Sequence, residues 1–302
     1  PHFQVGDKVA GMGGWQEYSI VDASQRGVLH RLDTAQIPLP AYLGAVGMPG
    51  VTAWVGLTQI IAPKAGETVV VSAAAGAVGS AVGQLARQRG CRAVGIAGGP
   101  DKCRYVSEEL GFDACIDYKQ HADLKSLSGA LKAACPDGID GHFENVGGPI
   151  LDAVMLRSNA FARIAVCGMI AGYNGAPLPM ANPALILVNR MKIEGFIVSE
   201  HMPLWPQALK ELGTLVATGK LKYRETIVDS FIEAFSKFAQ ARYYLTGQSN
   251  MLYQPEFNDI AKLREFINTI ENNEIFKIVE TNSDGISVKI GKENTMTSMQ
   301  DC

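Results

Sequence analysis

The hydrophobic rhythm of the chain changes twice. Residues 1–66 are rich in Gly and Pro and carry no long helical period. Within them, 6–10, 17–21 and 28–32 read as short strands separated by turn chemistry such as Gly13-Gly14. A helix is expected over 52–61, ended by Pro63. From Thr68 apolar runs alternate with amphipathic segments. Thr68–Ser72 suits a strand buried on both faces of a parallel sheet. A helix over 80–89 follows, with Ala81, Val82, Leu85 and Ala86 on its inner face. Arg87 and Arg89 suit its negative end and Gly90 its stop. Strands at 92–96 and 114–117 flank a helix over 101–110 closed by Gly111. A helix over 122–134 and strands at 139–143, 163–167 and 192–198 complete a series of six strands. That alternation predicts βαβ units and a doubly wound parallel sheet. After about Ile227 the rhythm breaks. An amphipathic helix over 259–270 presents Ile260, Leu263, Phe266, Ile267 and Ile270, an alternating strand is expected at 285–290, and a polar tail runs to Cys302.

Composition narrows the classes. A chain of 302 residues suits one large or two ordinary domains. The net charge of −3 argues against a nucleic-acid partner, whose backbone requires a concentrated basic surface. No apolar run approaches a membrane span, and residues 1–10 lack the layout of a signal peptide, although a complete gene product would begin with Met rather than Pro1. The six cysteines form no Cys-x-x-Cys pair and the five histidines no His-Glu-x-x-His, so no metal site is expected. A reducing, cytoplasmic compartment is the plain reading.

The candidate chemistry starts at the junction of the first sheet strand and its helix. In Ala73-Ala74-Ala75-Gly76-Ala77-Val78-Gly79, Gly76 permits a tight turn and Gly79 close approach of backbone to a pyrophosphate, while Gly83 permits close helix–strand packing. Glycines can merely shape turns, but the strand-then-helix context points to a dinucleotide on the helix N-terminus. NAD enzymes place an acid at the end of the second strand to bind the ribose. Here that strand ends Ile96-Ala97-Gly98-Gly99, with Lys102 and Arg104 just beyond, which favours NADP. Two alternatives stand beside this: Asp101 as a displaced ribose ligand, and Lys102 as an ordinary surface residue.

Met48-Pro49-Gly50-Val51-Thr52-Ala53, the Ala73-to-Gly79 loop, Asp101-Lys102-Cys103, Glu144-Asn145-Val146-Gly147-Gly148 and Cys167-Gly168 with Tyr173-Asn174 occur in an order that carries a resemblance. Residues 1 to about 230 resemble the zinc-independent medium-chain dehydrogenase/reductase family, in the branch of leukotriene B4 dehydrogenase, prostaglandin reductase and curcumin reductase. The resemblance implies NADPH-dependent reduction of the C=C bond of an enal or enone substrate. It implies that Gly76, Ala77, Val78 and Gly79 cradle the pyrophosphate and that Lys102 and Tyr118 contact the 2′-phosphate. Asn145 would lie by the ribose or base. Met48, Thr52, Cys167, Gly168, Tyr173, Phe196, Ile197 and Val198 would surround the nicotinamide. A homodimer through the edge strand near 192–198 is also implied.

Enone reduction needs a hydride at the β-carbon, a donor to the carbonyl oxygen and a proton for the α-carbon. Tyr173, in the loop after the fifth strand, is the candidate donor; the alternative is that it stacks on the cofactor or packs locally. Asn145 has a bland reading as a turn former, and Cys167 reads as a wall residue rather than a nucleophile.

Further on, 245–257, Lys262-Leu263-Arg264 and 285–291 resemble the C-terminal part of the HrcA-type heat-inducible transcription repressor. The implied organisation is a partial β-rich GroES-like catalytic domain at 1–66, an NADP-binding Rossmann domain at 67–230 and an unrelated α+β segment at 231–302, joined between Ile227 and Tyr243. Because the family's catalytic domain begins ahead of the segment matching Pro1, dinucleotide binding is expected to survive better than catalysis. A non-catalytic NADPH-binding protein is the second hypothesis, and a regulator using the repressor-like tail the third.

Overall fold

A computed structural model describes residues 3–11, 20–22, 29–173, 175 and 177–227, and the backbone of two later strands. Near the start, β1 (Val9–Gly11) pairs with β2 (Leu29–Arg31), both shorter than the sequence suggests. Of the strand expected at 17–21, residues 17–19 lie outside the described residues, and so does the Gly13-Gly14 turn; Ile20 and Val21 are not in a strand.

The centre of the chain builds a parallel sheet from β3 (Thr68–Ser72), β4 (Arg92–Ala97), β5 (Ala114–Asp117), β6 (Ile139–Glu144), β7 (Ser158–Val166) and β8 (Lys192–Gly195), in the order β5-β4-β3-β6-β7-β8. Every residue of β3 is buried. Val69 and Val71 join the core on one face, while Val70 joins Val94 and Ile96 in the core on the other. A strand with apolar residues on both faces can lie only in the middle of a covered sheet. The first face is covered by α1 (Met48–Val55), α2 (Ala77–Gln88) and, far along the chain, α7 (Trp205–Ala217). On the second face lie α4 (Leu124–Ala134) and α5 (Pro149–Met155). Asp123 starts α4 by accepting the Ser126 N–H at 2.7 Å.

Three expected elements come out differently. The helix expected over 52–61 begins at Met48, with Pro49 in its first turn, and widens into a π-helical stretch at Gly56–Ile61. Gly56 explains the placement, because a Cβ there would lie 2.4 Å from the Phe143 ring and 2.9 Å from the Phe196 ring. The helix expected over 101–110 divides likewise into α3 (Pro100–Arg104) and a π-helical Tyr105–Glu109. The strand expected over 192–198 ends at Gly195, and a 3-10 segment, Val198–Leu204, leads into α7; a short α6 (Ala184–Val188) precedes β8.

Helix α7 is fastened to the sheet domain. Leu212 is fully buried, and Glu211 accepts the Trp54 indole N–H at 2.7 Å from α1 while pairing with Arg89 at 2.8 Å. Beyond α7 the Gln84 side chain bonds both backbone groups of Lys222 at 2.8 Å. The compact unit containing the sheet ends at Glu225. Separately, β9 (Phe276–Asn282) and β10 (Gly285–Ile290) form an antiparallel hairpin with a register shift between Ser287 and Val288. The strand expected at 285–290 is therefore present, its partner was not anticipated, and the helix expected over 259–270 lies outside the described residues.

Candidate functional site

The strand order reverses between β3 and β6, so a crevice opens there beyond their C-terminal ends, where open α/β sheets take ligands. On one side of it the chain leaves β3 through Ala73, whose φ of 49° is a conformation that side chains disfavour. The Gly76 N–H donates to the Ala73 carbonyl at 2.9 Å, and α2 starts with no side chain capping it. Gly76 and Ala77 are exposed and Val78 half-buried, so the first N–H groups of a twelve-residue helix face outward among small side chains. That arrangement suits an anionic group such as a pyrophosphate. Two glycines act differently from the sequence reading. A Cβ on Gly79 would meet the Ala73 carbonyl oxygen at 2.4 Å, so its smallness keeps the turn itself tight. A Cβ on Gly83 would meet the Phe112 ring at 1.9 Å, so it makes room for that ring rather than for a strand.

The end of β4 is bare of acid: Ala97 is followed by Gly98 and Gly99, the latter at φ 101°. A Cβ on Gly98 would lie 2.9 Å from the Tyr118 ring and 3.1 Å from the Lys119 side chain. Asp117, at the end of β5, is turned inward; it accepts the Gly99 N–H at 2.7 Å and the Lys119 N–H at 3.1 Å. The Gly99 bond, ahead of the others, holds its carboxyl below the usual range. Asp101 pairs with Arg104 on the same helix, which occupies the alternative ribose ligand. Lys102 is exposed. Lys119, which sequence reasoning passed over, lies with Tyr118 over Gly98; its signal was a cation directly after Tyr118.

The other wall rests on one buried acid. Glu144 is fully buried, and its Oε1 accepts the Ser72 hydroxyl at 2.6 Å and the N–H groups of Val146 at 2.5 Å and Gly147 at 3.0 Å. Its Oε2 lies 3.0 Å from His142 Nε2, while His142 Nδ1 donates to the Val70 carbonyl at 3.0 Å. Burial pushes the Glu144 carboxyl up, but the His142 ring and the Ser72 and Val146 donors overcome this and lower it to about 2. The Glu144 carbonyl in turn receives the Cys167 and Gly168 N–H groups at 2.9 and 3.1 Å. One residue thus ties together the ends of β3, β6 and β7. The sequence signal was a His and a Glu two apart, and so on the same face of the strand, in a segment expected to lie in the sheet.

Asn145 donates its side-chain N–H to the Ser72 carbonyl at 2.8 Å, and its Oδ1 takes none of these bonds. Gly147 and Gly148 follow at φ 82° and 60°. The Tyr173 side chain is 64% exposed and folds back over Gly168, where a Cβ would lie 2.9 Å from its hydroxyl. The Met169 N–H donates to that hydroxyl at 3.4 Å. Burial raises the Cys167 thiol to about 11, which keeps it largely protonated at neutral pH and disfavours a nucleophilic role. On α1, Met48 is exposed and Thr52 buried, with the Thr52 hydroxyl donated to the Met48 carbonyl at 2.7 Å. Phe196 turns into the core, its ring edge-on to Phe143 at 6.2 Å. Ile197 stays exposed, and the Val198 carbonyl accepts the Trp205 indole N–H at 3.2 Å. Among the described residues no group of three or more His, Cys, Asp or Glu is placed to hold a metal ion, and no helix is long and apolar enough to cross a membrane.

Comparison with known proteins places this geometry. The family described as zinc-binding dehydrogenase matches residues 77–220, and the HrcA protein C terminal domain matches 204–302. Both matches include α7, whose Glu211 and Leu212 contacts attach it to the sheet domain. The chain is 48% identical to a putative NADP-dependent oxidoreductase, YfmJ, of Bacillus subtilis over 76% of this chain and 67% of that protein. It is 44% identical to an NADP-dependent 2-alkenal reductase of Nicotiana tabacum over 75% of this chain and 65% of that one. The crystal structure of CurA in complex with NADPH from Vibrio vulnificus is similar with a TM-score of 0.65 and 40% identity, covering 73% of this chain and 66% of that. The chain spans about two thirds of the length of these relatives.

Proposed function

Because the chain belongs to the zinc-independent medium-chain dehydrogenase/reductase family, in the prostaglandin reductase and curcumin reductase branch, we propose that it binds NADPH in the β3–β6 crevice and reduces the C=C bond of α,β-unsaturated aldehydes and ketones. The observation that carries this reading is the uncapped start of α2 beside a β4 end that lacks an acid, lies under Tyr118 and Lys119 and leads into α3 with its exposed Lys102. The N–H groups of Ala77, Val78 and Gly79 bind the pyrophosphate, and the two lysines with Tyr118 hold the 2′-phosphate. Asn145 offers its Oδ1 to the ribose. Thr52, its proton already given to Met48, accepts from the carboxamide end. The cofactor supplies the hydride for the β-carbon. Tyr173 receives the Met169 N–H, which leaves its own proton for the substrate carbonyl oxygen as enolate charge develops.

The test combines binding with turnover. NADPH is expected to bind more tightly than NADH, with Lys102→Ala removing most of the preference, and NADPH to be oxidised when a simple enone is added. Tyr173→Phe should then lower kcat by about 10²-fold while leaving NADPH affinity intact. Tight NADPH binding with no turnover would rule out the reductase reading and leave a cofactor-binding protein. A Lys102→Ala variant that keeps its preference would refute the 2′-phosphate assignment.

The same reading carries domain limits at 1–66, 67–230 and 231–302; the compact unit containing the sheet ends at Glu225, near the last of these, and takes in residues 30–66 as well. It also supports a cytoplasmic protein that dimerises through β8, one of the two edges of the sheet. A one-protomer mass by light scattering would remove the dimer.

A further inference from the structure

Cys103 and Cys115 are twelve residues apart in sequence, yet their Sγ atoms lie 3.1 Å apart. Cys103 stands on α3 between Lys102 and Arg104, and Cys115 on β5 two residues before Asp117. Both are free and half-buried, whereas Cys91 and Cys135 are buried. A disulfide has an S–S bond of about 2.05 Å, so about 1 Å of approach separates this pair from bonding. We propose that Cys103 and Cys115 are an oxidisable thiol pair, closed to a disulfide by hydroperoxides, that loosens the grip on the 2′-phosphate of NADPH. The loosening rests on the pocket assignment made under Proposed function; the oxidation does not.

The chemistry balances. Cys103, between Lys102 and Arg104 on α3, attacks one peroxide oxygen; the O–O bond breaks, the sulfur is oxidised to a sulfenic acid, and the other oxygen leaves as water or an alcohol. Cys115 then attacks that sulfur. The S–S bond forms, the S–O bond breaks, and oxygen departs as water with the Cys115 proton. Burial, followed by the adjacent Cys103, pushes up the Cys115 thiol, so Cys115 is not the residue that meets the peroxide first.

The link to the cofactor is geometric. Asp117 holds the Gly99 N–H, and Tyr118 and Lys119 lie over Gly98, so β5 and the start of α3 together shape the pocket. Drawing α3 onto β5 moves Lys102 relative to Lys119 by on the order of 1 Å, enough to break a charge-assisted bond to one phosphate. NADH makes no such bond.

The full chain is treated with hydrogen peroxide and mapped with trypsin without reduction. The expected product is the 105–119 peptide joined to the Cys103-Arg104 dipeptide, absent in Cys115→Ser. NADPH and NADH affinities are measured by fluorescence before oxidation, after it, and after dithiothreitol. The NADPH dissociation constant should rise about tenfold, reversibly, with NADH unchanged. Recovery of Cys103 and Cys115 unlinked while other cysteines oxidise would overturn the thiol pair. A linked pair with an unchanged NADPH-to-NADH ratio would overturn the coupling. If the reduced protein shows no NADPH preference, the pocket assignment fails and takes the coupling with it, while the peptide map still decides the thiol pair.

Discussion

Replacing Glu144 by alanine would strip an acceptor from four donors at once, and their ability to find others sets the size of the effect. The Ser72 hydroxyl can turn to the Phe143 carbonyl, already 3.3 Å away, and His142 can keep its proton on Nδ1 and leave Nε2 bare. The Val146 and Gly147 N–H groups have no such recourse. Two orphaned donors at about 1–3 kcal/mol each, with a small cavity, put the loss at about 3–5 kcal/mol, a large part of an ordinary domain's stability. For a domain of this size that lowers Tm by about 6–20 °C. Glu144→Gln keeps the volume and one oxygen for Ser72, Val146 and Gly147, and presents an N–H to a neutral His142. Its expected loss is about 1 kcal/mol, within about 4 °C. Circular dichroism melts of the three proteins make the comparison. Equal losses for the Gln and Ala variants would refute donor satisfaction and make the carboxylate charge the essential feature. A near-neutral Ala variant would refute the buried network altogether. The acid limb supplies a second readout. The folded Glu144 carboxyl lies below its ordinary value of 4.5, so its contribution is present above 4.5 and is lost as pH falls toward about 2. The Gln variant should lack that part of the acid slope.

Two other substitutions probe packing. Gly83→Ala drives a methyl into the buried Phe112 ring and should destabilise by about 1–3 kcal/mol, read as a lower urea midpoint at unchanged m-value. If the midpoint does not move, that ring is not confined as described. Glu211→Ala removes the acceptor of Trp54 and the partner of Arg89, and should weaken the sheet domain by about 1–2 kcal/mol with a shift in tryptophan emission. No change in either would detach α7 from the sheet domain and favour its assignment to the repressor-like segment.

What the sequence disclosed and what it hid divide along a physical line. The six-stranded sheet was legible because a strand covered on both faces must be apolar at every position, a local requirement that Val69, Val70 and Val71 meet on their own. The cradle at Gly76 was legible for the same reason: turn, strand and helix are neighbours in sequence. The hidden features each depend on a distant partner. Gly56 has no room for a Cβ because rings from β6 and from the segment after β8 press on it, and no window around Gly56 contains them. Gly83 fitted a motif position well enough to receive the motif's role, but Phe112 is the residue that requires its smallness. Glu144 was read only as the residue ahead of Asn145, since an acid in an apolar strand makes sense only when His142 beneath it and Ser72 on the neighbouring strand come into view. This bears on the cofactor site directly. The residues proposed to touch the ligand came from local pattern and the family resemblance, while those that fix the loops' positions, Ser72, His142 and Glu144, came from neither. The family resemblance assigns roles to the first group and none to the second, although Glu144 stands in one of its motifs. A variant series chosen from sequence motifs alone would therefore test contact and miss the support on which contact depends.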